Sequence, residues 1–247
     1  MSSASGWLNE VINPLWPAPA TVRAMVTTRG GGVSLPPFAS LNLGDHVGDD
    51  PNAVLANRRL LRQALPAEPL WLKQVHGIQV VDAAAGVQGV EADAVFARQP
   101  GVVCAIMTAD CLPVLLTTAK GDRVAAVHAG WRGLCDGVIE AAITAMGGED
   151  LMAWLGPAIG PGAFEVGPEV REAFLAKDAA ASQHFRSADH NGKWLADIYG
   201  LARQRLHTVG VTRIFGGGDC TVTDAERFFS YRRDKTTGRM ASLIWLA

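Results

Sequence analysis

The sequence predicts a single α+β domain, spanning residues 1–247, in which mixed β-sheets are flanked by helices. Three observations support this prediction. A chain of 247 residues that is 49% hydrophobic can bury a sizeable core. Short apolar runs of strand length are mixed irregularly with about four helical patterns, an order typical of α+β proteins. No internal repeat, low-complexity tract or linker divides the chain.

The N-terminal half is predicted to contain one helix and five strands. Asp50 and Pro51 mark the start of the helix, because Asp is a favoured N-cap and Pro is favoured at the first helical position. The apolar spacing continues that helix to about Ala64. The predicted strands cover residues 22–28, 69–75, 78–82, 92–96 and 101–108.

The C-terminal half begins with a predicted hairpin of residues 112–118 and 123–127, joined by a turn at Lys120-Gly121-Asp122. Helices are predicted from Gly133 to Met146, from Pro168, and over 194–209, and the polar segment 179–192 is predicted to be a surface excursion. The remaining predicted strands are 151–155, 211–215, 227–231 and 240–245.

Two residues with reactive side chains lie at one end of the predicted hairpin. Cys111 immediately precedes its first strand and His128 follows its second, so antiparallel pairing makes the two residues neighbours. His76, which follows the predicted strand 69–75, precedes a glycine that would allow another group to come close. The three side chains form a Cys-His-His set suited to Zn²⁺, with a fourth position open for water or substrate.

Two other interpretations of these residues stay open. Without a metal, Cys111 and His128 form a thiolate–imidazolium pair for nucleophilic catalysis. Asp110 could orient a histidine or support the site as a neighbouring carboxylate. Alternatively, all of these side chains are core residues at strand ends, because no ligand pair has the short spacing of a zinc finger.

Composition and absent motifs exclude several function classes. The net charge is −2, from 22 basic and 24 acidic residues, and no basic block is longer than Arg232-Arg233, which argues against nucleic acid or a membrane surface as partner. Residues 1–16 lack the pattern of a signal peptide, and the four cysteines are expected to be reduced thiols in a cytoplasmic protein. The nucleobase-deaminase, metallopeptidase and dinucleotide-binding signatures are missing, and six histidines are too few for an oxidase with several coppers.

Several long motifs resemble the YfiH family. They are T-T-R-G-G-G-V-S-L-P-P-F with S-L-N-L-G, W-L-K-Q-V-H-G, T-A-D-C-L-P-V-L-L, V-H-A-G-W-R-G-L, W-L-G-P-A-I-G-P-G-A-F-E-V-G and S-Y-R-R-D-K-T-T-G-R-M-A. The resemblance spans residues 16–247 and implies a YfiH-like, cysteine-hydrolase-type fold. In that family the histidine of Q-V-H-G, the cysteine of A-D-C-L and the histidine of H-A-G-W bind zinc and form the active site. The matching residues are His76, Cys111 and His128.

Members of the family are variously labelled polyphenol oxidase, laccase-domain protein, peptidoglycan editing factor and purine nucleoside phosphorylase. The resemblance implies zinc-dependent phosphorolysis of adenosine, inosine, guanosine and methylthioadenosine, with adenosine deamination as a second activity. Phosphorolysis needs an anion site, for which Arg29 with its following glycines, or Arg232 and Arg233, are candidates. Asn42 is a further candidate for substrate binding.

Two alternatives are retained beside the phosphorylase. One is a thiol hydrolase or editing factor that acts on a peptidoglycan precursor, using Cys111 and His128. The other is a non-enzymatic, zinc-stabilised binding protein. A copper polyphenol oxidase, with copper in place of zinc, is the least favoured because histidines are scarce. The expected partners are a nucleoside and phosphate, and a monomer is one expectation, although the sequence leaves the oligomeric state open.

Overall fold

The computed structural model describes residues 6–189 and 192–247 and contains three β-sheets. The strands are β1 (Val22–Val26), β2 (Val80–Asp82), β3 (Ala94–Ala97), β4 (Val103–Thr108), β5 (Leu112–Thr118), β6 (Val124–Ala129), β7 (Leu151–Leu155), β8 (Glu165–Val166), β9 (Phe185–Ser187), β10 (Trp194–Ala196), β11 (Arg213–Gly216) and β12 (Met240–Leu246). The α-helices are α1 (Pro51–Arg62), α2 (Trp131–Asp136), α3 (Val138–Met146), α4 (Pro168–Lys177), α5 (Ile198–Thr208) and α6 (Tyr231–Asp234). Two short 3₁₀ helices cover Gly6–Asn9 and Ala179–His184.

The largest sheet has six strands in the order β11-β7-β5-β6-β3-β2. The pairs β11–β7 and β2–β3 are parallel, whereas β5 pairs antiparallel with both β6 and β7. Its central strands β5 and β6 are buried along their whole length, as expected for strands covered on both faces. A second sheet has the order β1-β12-β4, and a small third sheet has the order β8-β10-β9.

The two larger sheets pack face to face. Ile106 and Ile244 of the β1-β12-β4 sheet contact Leu115 of the six-stranded sheet in one apolar cluster. The other face of the six-stranded sheet is covered by helices, with Ile139 of α3 and Leu206 of α5 in a second cluster. Helix α1 covers the outer face of the three-stranded sheet. The prediction of a single α+β domain with mixed sheets flanked by helices is therefore confirmed, while the cysteine-hydrolase label stays a prediction.

Several predicted elements are confirmed with small shifts of their ends. Asp50 is the N-cap of α1, and its carboxylate accepts a hydrogen bond from Asn52 N at 2.9 Å. The hairpin forms as β5 and β6, with Pro113 opposite His128. All four cysteines are free thiols. No helix among the described residues is both long and apolar enough to cross a membrane.

Two predicted helices are wrong in part. The helix predicted from Gly133 to Met146 is two helices, α2 and α3, because Gly137 between them has a φ of 104°, outside helical geometry. The helix predicted over 194–209 begins only at Ile198. Asp197 caps it by accepting a hydrogen bond from Gly200 N at 3.0 Å, and the residues before it pair as strand β10.

Two predicted strands are also wrong. Residues 69–75 make only isolated bridges, and one of their amides, Trp71 N, donates to the side chain of Gln88 rather than to a neighbouring strand. Residues 227–231 lead into the short helix α6, whose N-cap Ser230 accepts from Arg233 N. The segment 179–192, predicted to be a surface excursion, contains a 3₁₀ helix and strand β9, and residues 190 and 191 lie outside the described part of the chain.

Candidate metal and substrate site

The site lies where the chain crosses from one large sheet to the other. Strand β4 belongs to the three-stranded sheet and β5 to the six-stranded sheet, and only three residues connect them. Cys111 is the last of the three, and the preceding Asp110 has a φ of 92°, in a region that L residues rarely adopt. Because Pro113 pairs with His128, Cys111 comes to lie beside the end of β6.

His76, Cys111 and His128 converge, each with one potential ligand atom, and these atoms lie within 4.8 Å of one another. Cys111 Sγ is 3.8 Å from His76 Nε2, and the two imidazole rings meet edge to face with centroids 4.8 Å apart. His128 is buried and His76 is exposed. A Cβ on Gly130 would lie 2.9 Å from His76 Cδ2 and 3.2 Å from Cys111 Sγ, so glycine is required for this approach.

Asp93 connects the two histidines and was missed by the sequence analysis. Its Oδ1 is 2.7 Å from His128 Nδ1 and accepts the backbone N–H of His76 at 2.9 Å. Its Oδ2 accepts the N–H groups of Val75 and Gly77. His76 itself has a φ of 61°, a conformation that these hydrogen bonds help to hold. A carboxylate that fixes the tautomer and ring orientation of a ligating histidine is a common feature of metal sites.

The charges of the cluster are strongly coupled. Burial of Cys111 opposes its ionisation, but His128 and His76 outweigh that effect and lower the pKa of the thiol to about 6. Burial likewise opposes protonation of His128, yet Cys111 and Asp93 raise its pKa to about 9. Asp93 is also buried, and the hydrogen bonds from His128 and Gly77 nevertheless keep its pKa below the ordinary value. The ion-free cluster therefore favours a thiolate beside an imidazolium.

Asp110 does not orient a histidine, so that part of the prediction is corrected. Its carboxylate accepts hydrogen bonds from Thr221 Oγ1 and from Arg232 N, both at 2.6 Å. The carboxylate of Asp110, whose backbone has a positive φ, therefore bonds to the C-terminal loops. Asp110 thus connects the β4–β5 link to the segments that contain Thr221 and Arg232.

The cluster opens into a cavity of ≈ 310 Å³. Gln74 is fixed in its wall by two hydrogen bonds to the backbone of Met107, at 2.8 and 2.7 Å. Its lining residues are His46, Gln74, His76, Met107, Thr108, Ala109, Cys111, His128, Tyr231 and Arg239. This is the size and mixed polarity expected of a small-molecule site.

Arg239 is the cation in that cavity. Its Nη1 donates to the carbonyl oxygens of Thr237 and Gly238, each at 3.0 Å, while no hydrogen bond within the described ranges uses its Nε or Nη2. Burial lowers the pKa of Arg239, and the charges of Cys111 and Asp110 oppose that effect. The sequence analysis missed this residue, although it lies in the quoted motif S-Y-R-R-D-K-T-T-G-R-M-A, because Arg232 and Arg233 of the same motif were taken as the phosphate-binding candidates.

The predicted anion site at the glycine loop is not free. Arg29 donates to the carbonyls of Ala39 and Ala225, at 3.1 and 2.9 Å, and stacks over the ring of Phe229. Two amides of this loop also have partners, since Gly32 N donates to Ser40 Oγ and Val33 N to Asn57 Oδ1. The glycines serve a tight turn, which is the alternative to a phosphate cradle.

The other predicted substrate residues are engaged by the protein to different degrees. Arg233 donates to the carbonyls of Thr221, Val222 and Phe228 and pairs with Asp234. Asn42 is fully buried, where its Oδ1 accepts the N–H of Arg239 at 2.9 Å, so it supports the cavity from behind. Arg232 donates through Nη1 to Glu165 O at 2.8 Å and borders a second cavity beside Cys111.

The donor set of the cluster fits a metal ion. A thiolate with two imidazoles suits zinc and also copper, and such sites commonly leave a further position for water or substrate. Asp93 supplies the outer hydrogen bond that a ligating histidine requires. Among the described residues, His76, Cys111 and His128 form the single group of this kind.

Comparisons with known proteins cover nearly the whole chain. Residues 23–247 match the family model described as multi-copper polyphenol oxidoreductase laccase. Purine nucleoside phosphorylase YfiH of Escherichia coli K12 is 58% identical over 244 residues, covering 97% of this chain and 100% of that protein. A purine nucleoside phosphorylase of Pseudomonas aeruginosa is 57% identical over 241 residues, covering 97% and 99%.

Solved structures give the same result. A Neisseria meningitidis protein superposes with a TM-score of 0.92 at 50% identity, covering 96% of this chain and 99% of that one. YlmD from Geobacillus stearothermophilus superposes with a TM-score of 0.82 at 30% identity, covering 95% and 96%. With a matching family model, and with relatives and solved structures that cover nearly the whole chain, this protein belongs to the YfiH family.

Proposed function

We propose that this protein is a zinc-dependent purine nucleoside phosphorylase that converts a nucleoside and phosphate to a free base and a pentose 1-phosphate. The observation that carries the proposal is the convergence of His76, Cys111 and His128 on a cavity in which Arg239 keeps hydrogen-bond donors free. Relatives named purine nucleoside phosphorylase at 57% and 58% identity support the same reaction.

In this proposal Zn²⁺ is held by His76 Nε2, Cys111 Sγ and His128, whose Nδ1 is already bonded to Asp93. Zinc at such a site supplies Lewis acidity, which polarises an oxygen or activates a water molecule. Asp93 keeps the His128 ring in one orientation and simultaneously fixes the backbone that carries His76. We propose zinc rather than copper because a single group of three ligands cannot build a centre of several coppers.

Phosphate is proposed to bind at Arg239. The guanidinium of Arg239, whose Nε and Nη2 lack a partner among the described residues, presents one face suited to bidentate contact with a phosphate. The backbone contacts of Nη1 hold the side chain in place, so that little freedom is lost on binding. Arg233 is a poor alternative because carbonyls and Asp234 already occupy its donors, and Arg29, whose Nε and Nη1 donate to carbonyls, does not line this cavity.

The chemical step breaks the glycosidic C1′–N bond, whose electron pair leaves with the base, while a phosphate oxygen bonds to C1′. The proton of hydrogen phosphate ends on the departing base, so the reaction balances without an oxidant or reductant. An oxocarbenium-like transition state carries positive charge on the sugar. Bound phosphate would stabilise that charge electrostatically.

The finer substrate range is part of the proposal. Adenosine, inosine, guanosine and methylthioadenosine are the proposed phosphorolysis substrates, and adenosine deamination is the proposed second activity. Deamination would use the same cavity, with water rather than phosphate as the reactant. Chromatography of the products separates adenine from inosine, so one assay reports both activities.

The decisive experiment measures adenosine turnover with and without phosphate, on protein whose metal content is determined in the same preparation. We expect adenine and ribose 1-phosphate to form only when phosphate is present, and to be lost in Cys111→Ala. Arg239→Met should raise the KM for phosphate and leave the zinc content unchanged. Zinc-loaded protein that turns over neither adenosine, inosine nor methylthioadenosine would contradict the proposal.

A thiol hydrolase acting on a peptidoglycan precursor is the second candidate. The pKa of Cys111 near 6 beside that of His128 near 9 favours it, since these values describe a nucleophilic ion pair. The two candidates differ in their metal requirement. A hydrolase should remain active after chelation and be inactivated by alkylation of Cys111, whereas the phosphorylase should lose its activity on chelation.

A further inference from the structure

A second cavity adjoins the metal cluster on the other side of Cys111. Its volume is ≈ 180 Å³, and it shares Ala109, Cys111 and Tyr231 with the cavity that contains Arg239. Cys111 therefore faces two spaces at once. The shared residues form the boundary between them, so a ligand with two parts could occupy both spaces and place its junction at Cys111.

The two cavities differ in chemistry. The cavity containing Arg239 is lined by polar groups that include Gln74 and Thr108. The second cavity is bordered mainly by apolar and aromatic side chains, among them Trp131, Ile159 and Phe164. Asp110 and Arg232 also line this cavity, so a phosphate there would lie near the Asp110 carboxylate, whereas a flat heterocycle would gain from stacking and apolar contact.

The walls of the second cavity are held firmly. Arg232 Nη1 donates to Glu165 O at 2.8 Å, and its guanidinium lies 5.7 Å from the centroid of the Phe164 ring. The backbone of Arg232 is in turn bonded to the Asp110 carboxylate at 2.6 Å. The aromatic wall and the segment that carries Cys111 are therefore joined through Asp110, which fixes the distance between the cavity and the cluster.

Displacement chemistry at a sugar carbon sets a geometric requirement. When one nucleophile replaces a leaving group directly, it attacks the face of the sugar opposite to that group. Base and phosphate must then lie on opposite sides of C1′. Two cavities that meet at Cys111, one with Arg239 and one with aromatic walls beside the Asp110 carboxylate, provide that arrangement.

We propose that the second cavity binds the purine base, stacked against Phe164 and Trp131, while pentose and phosphate occupy the cavity of Arg239. This assignment rests on the proposed phosphorolysis. It adds the orientation of the nucleoside between the two cavities. The base departs toward Trp131, and phosphate approaches from the side of Arg239. It also makes Phe164 a specificity-determining residue for the base and excludes Arg232 as the phosphate ligand.

Steady-state kinetics with both substrates varied tests the assignment. Phe164→Leu removes the aromatic ring but keeps an apolar side chain of similar shape. Because stacking of a base on an aromatic ring contributes on the order of 1–3 kcal/mol, we expect its KM for adenosine to rise about 5- to 100-fold. Its KM for phosphate should stay within about twofold, and Arg239→Met should show the reverse pattern.

Tryptophan fluorescence provides a test that needs no turnover and no disruptive variant. Adenine alone should quench part of the emission of the wild-type protein, and the quenching should be lost in Trp131→Phe. Trp16→Phe is the matched control and should retain it. Inorganic phosphate should not quench in any of the three proteins.

The outcomes separate the two levels of the proposal. Absence of phosphate-dependent turnover in the wild type would overturn the proposed function and this assignment with it. Turnover combined with a higher phosphate KM in Arg232→Met or Phe164→Leu would overturn the assignment alone. Quenching by adenine that persists unchanged in Trp131→Phe would likewise overturn it.

Discussion

Asp93 and Asp110 are both buried carboxylates near the cluster of His76, Cys111 and His128, yet they contact different parts of the protein. Asp93 bonds to the ring of His128 and to the backbone that carries His76. Asp110 directly precedes Cys111 in sequence, but its oxygens bond to Thr221 and Arg232. One carboxylate therefore orients ligands, and the other fastens the surrounding loops.

Strand pairing explains the difference better than sequence distance does. Asp93 directly precedes strand β3, whose first residue Ala94 pairs with Val127 of β6, so Asp93 comes to lie beside His128. The backbone confirms this register, since His128 N donates to Asp93 O at 2.7 Å. Asp110 has a positive φ, and its carboxylate bonds to Thr221 and Arg232. A side chain next to a ligand in sequence thus need not support it in space.

The largest effect on zinc affinity is expected from replacing Cys111. Cys111→Ser replaces a thiolate by a hydroxyl that does not ionise at neutral pH, so the zinc affinity should fall by more than the roughly 100-fold typical of losing an outer partner. Cys220→Ser is the matched control, because that half-buried thiol lies outside the cluster. Metal analysis after dialysis measures both, and equal zinc contents would contradict the assignment of Cys111 as ligand.

The comparison of the two carboxylates is tested directly by Asp93→Asn and Asp110→Asn. Asp93→Asn keeps the shape but weakens the bond to His128, and we expect the zinc affinity to fall about 10- to 100-fold. Asp110→Asn should change it by less than about threefold, because its oxygens contact no ligand ring. Competition with a chromogenic chelator gives both affinities. A larger loss for Asp110→Asn would reverse the roles described here.

Much of the fold could be predicted because local patterns determine it. The hairpin of β5 and β6 follows from two apolar runs and a Lys-Gly-Asp turn, and its pairing alone brings Cys111 to His128. Where tertiary contacts decide the backbone, local patterns fail. Residues 69–75 have strand composition, but the amides of Trp71 and Val75 donate to side chains. Trp194 continues an apolar helical pattern but lies in β10, where it pairs with Ser187 of β9.

The limits of prediction at the site have the same origin. Asp93 could not be selected because its role depends on the register of β3 against β6. Arg239 could not be preferred to Arg29 because only the fold reveals which arginine has its donors occupied by carbonyls. Sequence identifies the residue types of a site, whereas the partners of each residue depend on strands and loops distant in sequence.

A smaller effect, on stability rather than on metal, is expected for Asp110→Asn. Loss of a charged acceptor for Thr221 and Arg232 should lower the free energy of unfolding of the metal-free protein by about 1–3 kcal/mol. Asp45→Asn, at an exposed carboxylate, should change it by less than about 0.5 kcal/mol. Urea unfolding followed by fluorescence measures both, and equal midpoints would show that Asp110 does not fasten the loops.

The smallest effect on activity is expected for Arg29→Met. Like the two carboxylates, the arginines Arg29 and Arg239 are compared by their hydrogen-bond partners. Arg29 spends its donors on Ala39 and Ala225, so its loss should lower the free energy of unfolding by about 1–2 kcal/mol. The KM for phosphate should remain within about twofold of the wild-type value, because Arg29 does not line the cavity of Arg239. Kinetics well below the unfolding temperature keep the two effects apart. A rise in phosphate KM comparable to that of Arg239→Met would mean that the glycine loop does take part in anion binding, and that occupied donors are a poor guide to which arginine contacts substrate.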